Sequence, residues 1–423
     1  MNNLKETPSR NSIFIWNILG SLSSSALSLI SLMLVARMLI DSEADIFSIA
    51  WSISQMLATI ASFQIRNYQA TDVKERFCFS QYVIFRILCI GVMIISSVFY
   101  VITNGFNFYK SLIVVLMCLF RAVEAFADVF EGYFQQKNRL DLVGKAVTYR
   151  IAITLVLFFV ILINGRNLLV ATLALLLGFL FSFFFFDLRY AKFVFNTKME
   201  WGFCKHFNWI FELIKEGTPI FVNAFLMMSI MNAPKMAIDS AISTGVMSSG
   251  IQTIFNILIM PASMLTLVYV VFRPLLTKMA VQWNSGEKYF FLKTMIVIML
   301  ILFPVSLFLI GFCYFFGTQC LSFLYGINLN AYTSELIVLL IGGCACTFSY
   351  VFDNALLVMR RQYLLLIAYL ISWIITKLTV GYFVVRYGLF GAAITYLISM
   401  SSFLIVTIVI FGICFKKMKK ANS

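Results

Sequence analysis

Charge is what this chain has least of. Of its 423 residues only 12% are Asp, Glu, Lys or Arg, while 61% are hydrophobic, and the mean hydropathy is +0.94. A water-soluble domain of this length cannot be built with so few charges, so the composition describes a polytopic helical membrane protein. Histidine is nearly absent. The single one, His206, stands in a basic stretch with no ligand partners, and no metal site is expected. The nine cysteines are scattered through apolar runs without a CxxC pair and point to neither a disulfide framework nor zinc. A G-x-x-x-x-G-K-[ST] phosphate loop is missing, so the chain is not expected to hydrolyse nucleotide on its own, and no resident cofactor is expected.

What is present is a series of long apolar runs. Twelve spans can be drawn, at 13–36, 46–65, 81–103, 111–134, 147–164, 168–187, 217–238, 244–272, 292–316, 333–358, 363–385 and 389–415. The polar opening MNNLKETPSRNS leads into a long apolar run with no small-residue cleavage site and reads as a retained first span. The longest break, 188–216, carries lysines and aromatics that suit a helix lying at the membrane surface, with a plain linker as the alternative. It gives a six-helix bundle over 1–190, a cytoplasmic amphipathic linker over 191–216, a second six-helix bundle over 217–415 and a basic cytoplasmic tail over 416–423. Of the 32 Lys and Arg, 25 fall on the side of the two termini and 5 on the other, while Arg121 and Lys377 lie inside spans. Both termini are therefore expected in the cytoplasm. The net charge of +14 is mostly this topology signal facing anionic lipid headgroups, and nucleic acid need not be invoked.

One stretch organises the rest. From Arg121, the residues Glu124, Asp128, Glu131 and Gln135 follow at helical spacings and share one face. Arg121 lies about 15 Å into its span, near the middle of a ~30 Å hydrocarbon core, where a charge must face protein or water. Two readings follow: an internal ion pair with Glu124 at i+3, or the wet lining of a cavity. A stripe that runs from midplane to cytosol favours the cavity. Asn17, Ser21, Ser24, Ser28 and Ser31 share a face of the first span and read as helix-packing positions. Ser48, Ser52, Gln55, Thr59, Ser62 and Arg66 share a face of the second, where Gln55 and Arg66 are too large for mere close packing. That seam is expected to line the cavity. A weak internal repeat pairs Arg37 and Asp41 with Lys235 and Asp239, each a base and an acid four residues apart at the outer end of the first span of its half. It favours parallel repeats and makes these residues candidate outer-gate pairs. Pro234 and Pro261 are expected to bend their helices, as kinks or as gating hinges.

At these residues the chain resembles the bacterial polysaccharide flippases of the multidrug/oligosaccharidyl-lipid/polysaccharide exporter superfamily. The resemblance rests on ARMLI at 36–40, RNYQATDV at 66–73, DVFEGYFQQKNRLDLVGK at 128–145, NAPKMAID at 232–239 and MPASMLTLVYVVFRPLLTKMA at 260–280. Where most relatives carry Gly after ARxL, this chain has Ile40. The resemblance implies an all-α, twelve-helix transporter made of a V-shaped pair of six-helix bundles working by alternating access in the bacterial inner membrane. The implied cargo is an oligosaccharide on undecaprenyl pyrophosphate, flipped to the outer leaflet for capsule, exopolysaccharide or O-antigen synthesis. Implied partners are a coupling H+ or Na+, a polysaccharide polymerase and chain-length proteins.

A lipid pyrophosphate carries about two negative charges and wants the bidentate fork of arginine. Arg66, Arg121 and Arg273 are the expected clamp, with Lys377 as a deeper contact and Gln55 beside them. Snorkelling to the headgroups is the alternative for Arg66 and Arg273. Glu124, Asp128 and Asp353 are candidate coupling sites or plain counter-charges. A drug exporter of the same superfamily is the rival reading, though cationic drugs would want a cavity dominated by acid. An enzyme such as a membrane glycosyl polymerase or acyltransferase is not expected, because every outward loop is short.

Overall fold

The computed structural model describes residues 9–72, 75–194, 208–270 and 272–420. Among them the chain is helical with no strand, and nine helices are long and apolar enough to cross a membrane. In hydrocarbon a backbone must satisfy its own hydrogen bonds, which leaves the helix as the form for such runs.

The chain forms two units, Met1–Phe225 and Leu226–Ser423. The first contains α1 (Arg10–Met38), α2 (Asp41–Ser62), the short α3 (Ile65–Thr71), α4 (Phe79–Thr103), α5 (Phe108–Gln136), α6 (Leu140–Gly165), α7 (Leu168–Ser182) and α8 (Leu188–Val194). Side-chain caps set several starts. Ser9 accepts from the Ser12 N–H at 3.2 Å, Asn107 from the Lys110 N–H at 2.8 Å, and Asn167 from the Leu169 N–H at 2.9 Å. At the centre stands α5, packed on α2, α3, α4 and α7, while α1 lies along α6. With its charged stripe, α5 is not among these nine helices. Gly132 and Gly144, both in the FEGYFQQKNRLDLVGK block, are points of close approach. A Cβ on Gly132 would lie 2.5 Å from Gln69 Oε1 on α3, and one on Gly144 would run into the Trp16 backbone of α1.

In the second unit α10 (Ile251–Leu258), α11 (Met260–Val270), α12 (Arg273–Asn284), α13 (Lys288–Phe312), α14 (Thr318–Tyr325) and α15 (Thr333–Val358) precede α16 (Leu365–Lys420). Gly388, at φ 60, breaks α16 into two arms. Thr376 Oγ1 donates to Ser399 Oγ at 2.7 Å across the break, so the arms lie side by side.

Several of these expectations can now be placed. The helix begun at 217 in the sequence reading starts earlier, as α9 (Asn208–Ser243), and its first half belongs to the first unit, with Trp209 and Leu213 buried against Ile65, Phe77 and Phe85. The rest of the expected linker, 195–207 with His206, lies outside the described residues. Arg37 and Asp41 do not share a helix as Lys235 and Asp239 do: α1 ends at Met38, Asp41 opens α2, and α9 runs on to Ser243. The repeat therefore matches in sequence and not in local structure. Pro234 sits inside continuous α9, whereas Pro261 stands at the start of α11 after a break at Ile259. Ile40 has extended backbone at φ −73, which needs no glycine.

Candidate functional site

Within the first unit, Gln55, Ala58, Thr59, Ser62, Gln64, Arg66, Arg121, Glu124, Ala125 and Asp128 line one cavity of about 340 Å³. The α5 stripe and the lower part of the α2 seam thus meet as expected. Ser48 and Ser52, at the other end of that seam, are buried and take no part in the lining. Arg66 does not continue the α2 face. The helix ends at Ser62, Phe63 and Gln64 adopt left-handed backbone at φ 42 and 52, and Arg66 comes back toward α5 from α3. A smaller chamber of about 150 Å³ adjoins, sharing Arg66, Glu124 and Asp128 and adding Ser24, Glu131 and Arg150.

Both readings of Arg121 hold at once. It lines the cavity and donates from Nη1 to Glu124 Oε2 at 2.6 Å, with its guanidinium carbon 4.6 Å from the Trp51 ring centroid. Below it the ion pairs link up across four helices and a π-helical turn. Arg66 Nη1 donates to Asp128 Oδ1 at 2.7 Å and to Glu131 Oε2 at 2.9 Å. Arg86 of α4, wholly buried, donates to the other Asp128 oxygen at 2.9 Å and to the Ala61 carbonyl at 2.9 Å. Arg150 of α6 donates to Glu131 Oε1 at 2.8 Å and to Asp187 at 2.9 Å, the latter in the π-helical turn Phe183–Asp187 that follows α7. Four guanidinium groups therefore face four carboxylates, as buried charges must if they are to persist inside a bundle. Burial works against the charged form of Arg66, but Asp128 and Glu131 more than offset it and hold its guanidinium above the ordinary arginine range.

Arg86 and Arg150 correct the charge count, which places them with the cytosolic loops; they sit inside α4 and α6 instead. The signal was there. Each is a lone arginine just inside an apolar run, as Arg121 is. Asp187, at the end of a run of phenylalanines, carries the same signal.

The remaining candidates lie in the second unit. Arg273 opens α12, and its side chain lies outside the described ones. Lys377 is exposed, with its ammonium 5.9 Å from the Trp373 ring centroid. Asp353 accepts from the Tyr369 hydroxyl at 3.3 Å, beside an Asn354–Tyr269 hydrogen bond of 2.9 Å. Among the described residues no cluster of His, Cys, Asp and Glu could hold a metal ion.

No protein-family model matches the sequence. A curated relative, the capsular polysaccharide biosynthesis protein CapF of Staphylococcus aureus, is 25% identical over 194 residues, 45% of this chain. The match spans about half the length of that relative, 46%. Among solved structures, an inward-facing multidrug resistance MATE family transporter of the MOP superfamily aligns with a TM-score of 0.69 at 14% identity, covering 94% of this chain and 96% of the other. The lipid II flippase MurJ, in an inward closed conformation, gives 0.67 at 14% identity over 94% and 87%. A MOP superfamily transporter from Pyrococcus furiosus gives 0.62 at 13% identity over 99% and 98%. The chain thus has the fold of the MOP superfamily transporters. That fold is shared by multidrug exporters and by a lipid flippase.

Proposed function

We propose that this protein is a flippase for oligosaccharides carried on a lipid pyrophosphate, working by alternating access in a bacterial inner membrane with both termini cytoplasmic. In this reading the chain crosses the membrane twelve times. The nine apolar helices supply most crossings, Gly388 divides the last of them into two, and α5 and the α10–α11 pair add the others. The two six-helix halves are parallel repeats, with Arg37, Asp41, Lys235 and Asp239 near the outer gate.

One observation carries the cargo assignment. Arg66 and Arg121 open onto a single polar cavity, and the carboxylates that line it, Glu124 and Asp128, are already held by arginines. A cationic drug would find each of these acids already paired, whereas Arg66 bonds its acids through Nη1 alone and keeps its Nη2–Nε edge for a phosphate. Gln55, Thr59, Ser62 and Gln64 offer the amide and hydroxyl partners that sugar hydroxyls take. The partial match to a capsular polysaccharide biosynthesis protein supports the same cargo class. Arg121 and Arg66 are the pyrophosphate contacts in this proposal, and Asp353 is a candidate for the coupling H+ or Na+. A polymerase and chain-length proteins would act on the delivered units.

Deleting the gene tests the reading. Lipid-linked oligosaccharide should accumulate on the inner leaflet while sensitivity to cationic drugs stays unchanged. Raised drug sensitivity without accumulation would transfer the protein to the exporter class.

A further inference from the structure

The carboxylates of the ion-pair network are not equally occupied. Asp128 gives one oxygen to Arg66 at 2.7 Å and the other to Arg86 at 2.9 Å. Glu131 gives Oε2 to Arg66 at 2.9 Å and Oε1 to Arg150 at 2.8 Å. Asp187 accepts from Arg150 at both of its oxygens, at 2.9 and 3.1 Å. Glu124 differs. Its Oε2 accepts from Arg121 at 2.6 Å, and its Oε1 has no partner among the described residues. Its side chain is also the most open of these acids, 41% exposed against 23% for Asp128, and it lines both chambers.

An ionised carboxylate can only accept hydrogen bonds. Arg121 answers the charge of Glu124 and, by holding Oε2, fixes the plane in which Oε1 is offered to the cavity. The cavity thus contains an acceptor whose charge is already balanced. Gln55 on the same wall can present either end of its amide, but Glu124 has no such choice. A hydroxyl or amide N–H beside Oε1 satisfies it. A methylene in the same place strips water from the carboxylate and returns nothing. Where the acceptor stands decides which part of the cargo meets it. Arg121 spends Nη1 on Glu124 and keeps Nη2, which has no partner among the described residues. A phosphate on that Nη2 lies within one sugar ring of Oε1, so the sugar bonded to the phosphate is the one that reaches it.

Resting on the flippase reading, we infer that Glu124 is a specificity residue for the cargo sugar. Its Oε1 accepts a hydrogen bond from a hydroxyl or acetamido N–H on the ring carbon next to the phosphate linkage. Sugars with a donor there are taken, and sugars without one are discriminated against. Arg121 then has two tasks, one at the phosphate and one in holding the carboxylate that meets the sugar.

The test is a set of equilibrium titrations on the purified full chain in detergent. Two probes differ in one group: a short-chain prenyl pyrophosphoryl glucose and its 2-deoxyglucose counterpart. Wild type should bind the glucose probe about tenfold more tightly, the low end for a hydrogen bond to a charged group, because Glu124 keeps water. Glu124→Ala removes the acceptor, and the ratio of the two affinities should fall to about one. Losing the negative charge strengthens the phosphate contacts of both probes alike and cancels in that ratio. Should Glu124→Ala purify poorly, Glu124→Gln keeps the shape, and the ratio should drop at least threefold (roughly), since a neutral bond replaces a charge-assisted one. If wild type binds both probes equally, or the tenfold ratio survives in these variants, Glu124 does not meet the sugar; the inference is then wrong and the flippase reading survives. If wild type binds neither pyrophosphate probe, both fall.

Discussion

Replacing Arg121 separates binding from architecture. Arg121 is 8% exposed, but its partner Glu124 has 41% of its side chain open to the cavity. An ion pair that wet is worth about 0.2–1 kcal/mol. The cation–π contact with Trp51 adds roughly 1 kcal/mol, and the buried methylenes of the arginine stem about 2 more. Arg121→Ala should therefore cost about 3–4 kcal/mol and lower the melting temperature in detergent without preventing insertion. Because Glu124 keeps water, removing it as well should recover no more than about 1 kcal/mol. Transport behaves differently if Arg121 contacts the cargo. Arg121→Ala should abolish polysaccharide export in a deletion strain, Arg121→Lys should restore part of it, since a point charge replaces a fork, and Arg121→Ala with Glu124→Ala should remain inactive. The measurements are surface polysaccharide per cell and thermal unfolding of the same variants. A double variant that is stable and active would show that the pair is only a pair, and Arg121 would leave the site.

Three further outcomes are expected. Arg86→Met removes the buried hold on Asp128 and on the Ala61 carbonyl; Asp128 keeps Arg66, so the loss should be about 2–3 kcal/mol, below the full cost of breaking a buried pair, read by thermal unfolding. Gly132→Val should drive α3 off α5, costing about 1–3 kcal/mol and most of the transport, and a variant with full export would refute the close-contact role. In a background freed of the exposed Cys78 and Cys320, single cysteines at 104–107 and 326–330 should react with an impermeant reagent from outside, and those at 135–141 should not. Labelling of 135–141 from outside would invert the topology.

The sequence alone determined the class, because 61% hydrophobic residues in long runs leave no soluble alternative. It also determined the α5 stripe. Residues three and four apart share a helix face whatever the helix packs against, so Arg121, Glu124 and Asp128 could be placed together before any fold was known. Local spacing reaches no further than one helix. That Arg66 arrives from α3 rather than along α2 depends on two left-handed residues, Phe63 and Gln64, neither of them a glycine that would have flagged the turn. That Asp128 is shared by Arg66 and Arg86, and Glu131 by Arg66 and Arg150, depends on how α3, α4 and α6 are rotated against α5. Only the tertiary structure decides that rotation, because an ion pair between helices is set by the packing of whole faces and leaves no periodic trace in the chain.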